Sequence, residues 1–295
     1  MKFIVTGANG FLGINLVEYL LSLNHTVVAI DKNTKNLLNI KVPKLKIIET
    51  DLATIEKYSK SFKNVDCIYH FAALADLDAC YKNPLETVRQ NILPTIKLLE
   101  ICKLFKIKKF IFSSTIYTSG LEGGFYRCSK KACEDYIQQF SKQNKIDFII
   151  LKFGSLYGVG SELNNGLHKI VYNALKNKKI VYFGNKNSQR EYIHVIDAVK
   201  CSYDIFKKGF KNKIVNITGH QSVKITEVLE LLREILSFKS KIEIYPKKNM
   251  GHYTISAHSI NDNLGIKYLN NPHIDFHEGL TSLIRHVKKS KNIKK

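Results

Sequence analysis

Three glycines at a spacing of three constrain this chain more than anything else in it. Residues 2–6 (KFIVT) are a short apolar, β-rich run, Gly7, Gly10 and Gly13 follow, and residues 14–23 (INLVEYLLSL) carry apolar positions at helical spacing. The pattern reads strand, tight turn, helix. Gly7 lets the chain turn with an unrestricted φ, Gly10 leaves room for a backbone to approach a pyrophosphate, and Gly13 lets helix and strand pack closely. Free N–H groups at the helix start favour an anion, so Gly7, Gly10, Phe11, Leu12 and Gly13 are the expected cofactor-binding residues of the turn.

A glycine turn alone is weak evidence, and the second strand strengthens it. Residues 25–30 (HTVVAI) are a continuous apolar run, suited to a parallel strand covered on both faces. The run ends at Asp31, close to the roughly 20-residue spacing of an acid that hydrogen-bonds an adenosine ribose. A carboxylate there accepts from both ribose hydroxyls and repels a 2′-phosphate, which favours NAD over NADP, with Lys32 and Lys35 near enough to soften that exclusion. The plainer alternative is that Asp31 is a strand-end turn residue.

Strand and helix patterns then alternate: strands at 45–49, 65–71, 109–113 and 148–153, helices at 84–105 (opened by Pro84) and 126–142. This rhythm predicts an α/β fold with a doubly wound parallel sheet of Rossmann type, its ligands lying off the carboxyl ends of the strands. Asp51, Ala72, Ala73, Ser114, Thr115 and Ser155 fall at such ends. Beyond residue 155 the rhythm loosens into helices at 166–177, 195–206 and 226–236 and strands at 179–183 and 213–217. The expected division is a dinucleotide-binding domain over 1–155 and a smaller C-terminal lobe over 156–295, mainly substrate-binding, with segments crossing back onto the first.

The formal charge of +21 raises nucleic-acid binding as a competing function. The lysines are spread along the whole chain, with no aromatic-interleaved arginine motif and no helix-turn-helix signature, so no nucleic-acid partner is expected. Their densest run, 288–295, reads as a frayed, solvated end. The spread charge would still draw in anionic substrates such as nucleotide sugars. No apolar run approaches the ~18 residues of a membrane span, and the chain opens on a core strand with no leader, so the expected compartment is the cytoplasm. Six dispersed cysteines without a Cys-x-x-Cys pair read as reduced, mostly buried thiols, and no metal-ligand spacing occurs.

The chemistry is carried by Tyr126-Arg-Cys-Ser-Lys130. Residues four apart share a helix face, so phenol and ammonium point the same way. An unperturbed phenol has a pKa of ~10 and is a poor base near neutrality. A neighbouring ammonium and a positive, oxidised nicotinamide both favour the phenolate, which makes the pair a proton acceptor for a hydroxyl being oxidised. Tyr-x-x-x-Lys is common by chance; downstream of the glycine turn and soon after Ser113-Ser114-Thr115 it becomes specific.

Taken in order, Thr6-Gly-Ala-Asn-Gly-Phe-Leu-Gly13, Asp31, Asp51-Leu52, His70-Phe-Ala-Ala73, Asn91, Ser113-Ser-Thr115, Tyr126-x-x-x-Lys130, Phe153-Gly-Ser-Leu-Tyr-Gly158 and Arg190-Glu-Tyr-Ile-His-Val-Ile-Asp197 resemble the extended short-chain dehydrogenase/reductase family of nucleotide-sugar epimerases, dehydratases and reductases, over about residues 1–285. The resemblance implies that Asp51 and Leu52 contact the adenine, and that Phe71, Ala72, Ala73 and Phe153 line the cofactor site. It places Asn91 behind the adenosine side, Thr115 at the catalytic Ser/Thr position with Ser114 as alternate, and Lys130 on the nicotinamide ribose. It puts Ser155 and Arg190 at the substrate, with Arg190 on the diphosphate through its guanidinium fork; the plainer alternative for Arg190 is a surface ion pair with Glu191. It also implies a homodimer joined through the helices at 84–105 and 126–142.

Departures from the pattern shape the expectation. Thr115 and Tyr126 are only 11 residues apart, where sugar-modifying relatives carry a longer loop, so the substrate-facing wall is trimmed. Ile116-Tyr117 replaces the Asp-Glu pair of 4,6-dehydratases, which disfavours dehydration. Pro94 stands in place of a glycine and alters a helix detail, while His70 and His194, in apolar runs, read as structural. The expected protein is an NAD-dependent nucleotide-sugar 4-epimerase, with Tyr126, Lys130 and Thr115 catalytic. A nucleotide-sugar dehydrogenase or 4-ketoreductase uses the same residues, and a non-catalytic nucleotide-sensing or nucleic-acid-binding relative is the remote alternative.

Overall fold

The structure, a computed structural model, describes residues 1–239, 241–246, 252–255 and 265–289. The apolar runs become strands β1 (Lys2–Thr6), β2 (Thr26–Asp31), β3 (Leu45–Glu49), β4 (Cys67–His70), β5 (Lys109–Thr115), β6 (Asp147–Phe153) and, from the second half, β11 (Lys213–Ile217). Between β6 and β11 lie the short strands β7 (Ser155–Tyr157), β8 (Val181–Phe183), β9 (Gln189–Arg190) and β10 (Tyr192–His194). After it come β12 (Val223–Lys224), β13 (Glu243–Tyr245) and β14 (Ile266–Lys267). The helices are α1 (Phe11–Ser22), α2 (Leu77–Lys82), α3 (Pro84–Thr87), α4 (Leu93–Phe105), α5 (Gly124–Asn144), α6 (Gly166–Asn177), α7 (Val195–Lys207), α8 (Ile225–Leu236) and α9 (Phe276–Lys289).

The main sheet has eight strands in the order β14-β11-β6-β5-β4-β1-β2-β3, and every pairing in it is parallel. The strand order reverses between β1 and β4, and at such a switch point the crevice beyond the carboxyl ends is open to a ligand. The sheet is covered on both faces. Phe3, Val5, Leu16, Val17, Leu20, Ala198 and Ile205 pack one side, with α1 and α7, and Ile4, Ile68, Leu98, Cys102, Phe110 and Ile137 pack the other, with α4 and α5. Completely buried side chains of this kind contribute about 1.5–3 kcal/mol each. A third apolar cluster joins Leu167, Val171, Val228, Leu232, Leu280 and Ile284 of α6, α8 and α9. Beside it lie three two-stranded pairs, β7 with β10, β9 with β12 and β8 with β13.

Besides small shifts in the bounds of several strands, two expected elements change in kind. The helix expected over 84–105 is broken into α3, a π turn at Val88–Ile92, and α4. Pro94 lacks an N–H and its ring crowds the carbonyl four residues back, and a wider turn relieves both. The tail expected to fray begins instead as helix: Lys288 and Lys289 form the last turn of α9, and residues 290–295 lie outside the described residues. Among the described residues no helix is long and apolar enough to cross a membrane. Five of the six cysteines are buried free thiols, and Cys128 is exposed.

His70 ties the first strand to the helix layer. Its Nδ1 lies 2.7 Å from Thr6 Oγ1 and its Nε2 2.9 Å from Thr95 Oγ1, with the ring fully buried. Burial, and then the charge of Lys130, push its pKa from 6.5 down to about 3. The unfolded chain therefore takes up a proton below pH 6.5 that the fold refuses until about pH 3. Stability is complete above 6.5 and is lost as pH falls through that window, at up to about 1.4 kcal/mol per pH unit. Urea midpoints measured across the window should fall in the wild type and fall less steeply in His70→Gln.

Candidate active site

The glycine turn closes against the loop after β4. Gly7 has φ +66°, and a Cβ on it would lie 2.5 Å from the backbone nitrogen of Ala72. A Cβ on Gly13 would lie 2.0 Å from the Gly7 carbonyl oxygen, whereas one on Gly10 meets nothing nearer than that oxygen at 3.3 Å. Gly10 is the N-cap of α1 and offers no side-chain cap, so the first-turn N–H groups at Phe11 and Leu12 face the crevice without a side-chain acceptor. This cradle, with space at Gly10 and backbone contact on both sides of it, fits a pyrophosphate. At the end of β2, Asp31 is half-buried; its Oδ2 accepts from Asn9 N at 3.0 Å and its Oδ1 from Asn33 N at 3.2 Å. The carboxylate is thereby held beside the turn.

Phe71, Ala72 and Ala73 follow β4, with the Phe71 ring edge-on to that of Phe153 at 6.2 Å. Asp51 follows β3 and spends Oδ1 on Ala53 N at 2.7 Å, capping the 3-10 run Leu52–Phe62 that Leu52 opens. Asn91 sits on the π turn, buried, its Oδ1 accepting from Leu74 N at 2.7 Å and its Nδ2 donating to Leu74 O at 3.1 Å and Ser129 Oγ at 2.8 Å. Its amide is committed to the loop after β4, so it acts on the crevice by holding that loop.

β5 runs two residues further than expected and carries Ser114 and Thr115 to its end. Alternation along the strand sends them to opposite faces. Ser114 donates to the carboxylate of Glu134 on α5, and Thr115 Oγ1 accepts from Tyr117 N at 3.3 Å, which leaves its own proton to donate. Tyr126 lies in the first turn of α5 and Lys130 one turn on. Lys130 is 2 % exposed, donates from Nζ to Ser113 O at 2.9 Å, and lies 4.6 Å from the centre of the Phe112 ring. These contacts, worth about 1–3 kcal/mol each, offset the desolvation of the ammonium and lock α5 to the end of β5. Burial lowers the Lys130 pKa to about 8, against the opposing influence of Cys133, Glu134 and Cys80.

In the chain without a nicotinamide, burial outweighs any acidifying influence of Lys130 on the phenol. Burial pushes the Tyr126 pKa up, and the Cys80 and Cys133 thiols push the same way. The ammonium lies 5.9 Å from the Tyr126 ring centre, bonded to Ser113 O instead. In the chain alone the phenol stays protonated, and a cation brought into the crevice would favour its ionised form.

Arg190 has partners other than Glu191, whose Oε1 lies 3.3 Å from Thr218 Oγ1 and 3.4 Å from Lys267 Nζ. Its guanidinium stacks 4.2 Å from the centre of the Tyr253 ring and donates to Gln189 O at 2.7 Å. Tyr253 also lies near the Ser155 side chain and packs edge-on to Tyr117 at 4.9 Å. The Tyr117 hydroxyl lies 3.1 Å from His252 Nδ1. Tyr117, His252 and Tyr253 thus join Ser155 and Arg190 in one wall, which sequence reasoning missed; Tyr117 follows the catalytic strand, but nothing local signals its meeting with 252 and 253. His194, expected to be structural, accepts from Ile196 N through Nδ1 at 3.3 Å and caps α7.

Known proteins bear on this arrangement. A "Putative UDP-glucose 4-epimerase" of Methanocaldococcus jannaschii is 27% identical over 97% of this chain and 98% of its own. A dTDP-D-glucose 4,6-dehydratase of Dictyostelium discoideum is 30% identical over 73% of this chain, which covers 58% of that protein. In fold, the chain superposes with a TM-score of 0.85 on the UDP-glucuronic acid 4-epimerase of Bacillus cereus solved with UDP-glucuronic acid and NAD, covering 98% of this chain and 99% of that one at 24% identity. The profile of the "NAD dependent epimerase/dehydratase family" matches residues 3–218, from the first strand past β11. On that match the chain belongs to the NAD-dependent epimerase/dehydratase family of enzymes.

Proposed function

We propose that the protein is a nucleotide-sugar 4-epimerase, with UDP-hexoses the first substrates to offer it. The observation that carries this reading is the buried Lys130–Ser113 bond, which fixes the helix bearing Tyr126 to the strand end bearing Thr115, beside the switch-point crevice. NAD, when bound, supplies the acceptor and later the donor of the hydride. Tyr126 takes the proton of the sugar 4-hydroxyl and returns it to the opposite epimer. Thr115 donates to the same oxygen and holds it in place, and Ser114, spent on Glu134, does not share that task. Arg190, preset on the face of Tyr253, binds the diphosphate, with Ser155 beside it. In this reading residues 1–155 bind the dinucleotide and 156–295 mainly the sugar nucleotide. Relatives named as UDP-sugar 4-epimerases support the substrate class. Ile116, a 3 % exposed apolar side chain beside Tyr117, lacks the acid that a dehydration step needs, so the dehydratase relatives are not followed.

Incubation with UDP-glucose, UDP-glucuronate and UDP-N-acetylglucosamine, with products identified by NMR, tests the reading. The expected result is the 4-epimer with retained NAD and no net NADH. Stoichiometric NADH formation or consumption would assign the dehydrogenase or ketoreductase instead, and inertness towards all nucleotide sugars would overturn the reading. We further infer a homodimer through the helical run 84–105 and α5, where Leu85, Val88, Leu93, Phe125 and Tyr136 are exposed. A dimeric mass by light scattering is expected, and a monomeric mass in dilute solution refutes it.

A further inference from the structure

Of the buried carboxylates that the chemistry above leaves unused, Glu134 lies nearest to it in the fold, behind the strand end that bears Thr115. Glu134 lies on α5, one turn beyond Lys130, with no exposed surface. Its Oε1 accepts from Ser114 Oγ and from Thr118 Oγ1, the latter at 2.8 Å. Its Oε2 faces Lys131 Nζ at 3.7 Å and Lys152 Nζ at 3.8 Å. Lys152, itself buried on β6, donates to Ser119 Oγ at 3.0 Å. Thr118 Oγ1 also lies 2.8 Å from Thr115 O.

Ser114 precedes Thr115 and Thr118 follows it in the 3-10 turn Ile116–Ser119. One carboxylate therefore grips both flanks of the residue whose hydroxyl steadies the sugar oxygen. It does so from the helix that carries Tyr126. Burying a carboxylate costs several kcal/mol unless it is paired and hydrogen-bonded, and here two hydroxyls and two ammoniums face it. We propose that Glu134 is a positioning residue: through Ser114 and Thr118 it holds the β5 corner so that the Thr115 hydroxyl stays in register with the phenol of Tyr126.

This assignment rests on the 4-epimerase reading for its kinetics, and on exchange measurements for its geometry. Removing Glu134 alone leaves Lys152 buried without its counter-charge, so the variants change both. Glu134→Gln with Lys152→Met abolishes the charge pair and keeps an amide oxygen for Ser114 and Thr118; Glu134→Ala with Lys152→Met abolishes the grip as well. A displacement of the order of 1 Å at a reacting centre costs about 10²-fold. The alanine double variant should therefore lose about 10- to 100-fold in kcat at a KM within about threefold of wild type. The glutamine double variant should stay within about threefold of wild type in both. Hydrogen–deuterium exchange at residues 115–119 should quicken in the alanine variant only.

Wild-type kcat and exchange in the alanine variant overturn the proposal, as does a loss in the glutamine variant equal to that in the alanine one. If the alanine variant does not fold, Ser114→Ala with Thr118→Val carries the same expectation and leaves the carboxylate on its lysines. A wild-type protein inert towards every nucleotide sugar removes the functional reading only. Exchange reports on the corner without substrate.

Discussion

Tyr126→Phe lowers kcat by about 10²- to 10⁴-fold, the span that a positioned proton-transfer group contributes. The substitution removes one oxygen and leaves the packing of α5 intact, because the backbone carbonyl of Tyr126, not its phenol, receives Ser129 Oγ at 2.8 Å. NAD content and melting temperature should therefore match the wild type, and the loss should fall on kcat with little change in KM. A related readout tests why the phenol can act at all. Burial pushes the Tyr126 pKa up in the chain alone. Ultraviolet difference titration should find its phenolate at lower pH when oxidised NAD is bound than when it is absent, with Tyr126→Phe as the blank. A phenylalanine variant with wild-type turnover would sink the assignment of Tyr126 as the proton acceptor.

What could be read from sequence was what the chain writes locally. The turn at Gly7, Gly10 and Gly13, the acid at the end of the next strand, and Tyr126 with Lys130 each occupy a short stretch whose spacing states its geometry. The parallel sheet followed from the alternation of apolar strands with amphipathic helices. Most of what was missed is made of contacts between distant segments: Glu134 reaching back to Ser114 and Thr118, Asn91 turned onto Leu74, and His252 and Tyr253 meeting Tyr117 and Arg190. The direction of the Tyr126 pKa belongs here too, because burial is a property of the assembled site. One omission was avoidable. Leu280, Leu283, Ile284 and Val287 are spaced as an apolar helical face, and all four are buried on α9.

The second large effect separates two glycines three residues apart. In Gly13→Ala the new Cβ would sit 2.0 Å from Gly7 O and 2.8 Å from Ala8 Cα, both backbone atoms at the sheet's edge of the turn. Neither can swing aside, so α1 must lift from β1, and overpacking of this kind costs about 1–3 kcal/mol or more. The melting temperature should drop and NAD should no longer bind. In Gly10→Ala the φ is −72° with ψ 167°, open to any residue, and the nearest atom is Gly7 O at 3.3 Å, a gap that a few tenths of an ångström relieves. Replacing glycine where the backbone is compatible stabilises by about 0.4–1 kcal/mol through the unfolded state. Its melting temperature should thus equal or exceed that of the wild type. The added methyl nevertheless fills the space reserved for the pyrophosphate, so the rise in melting temperature that NAD gives the wild type should vanish. Thermal scans with and without NAD read both quantities at once. A Gly10→Ala protein that still gains its full increment from NAD would show that the dinucleotide does not cross the first turn, and with that the crevice would lose its cofactor.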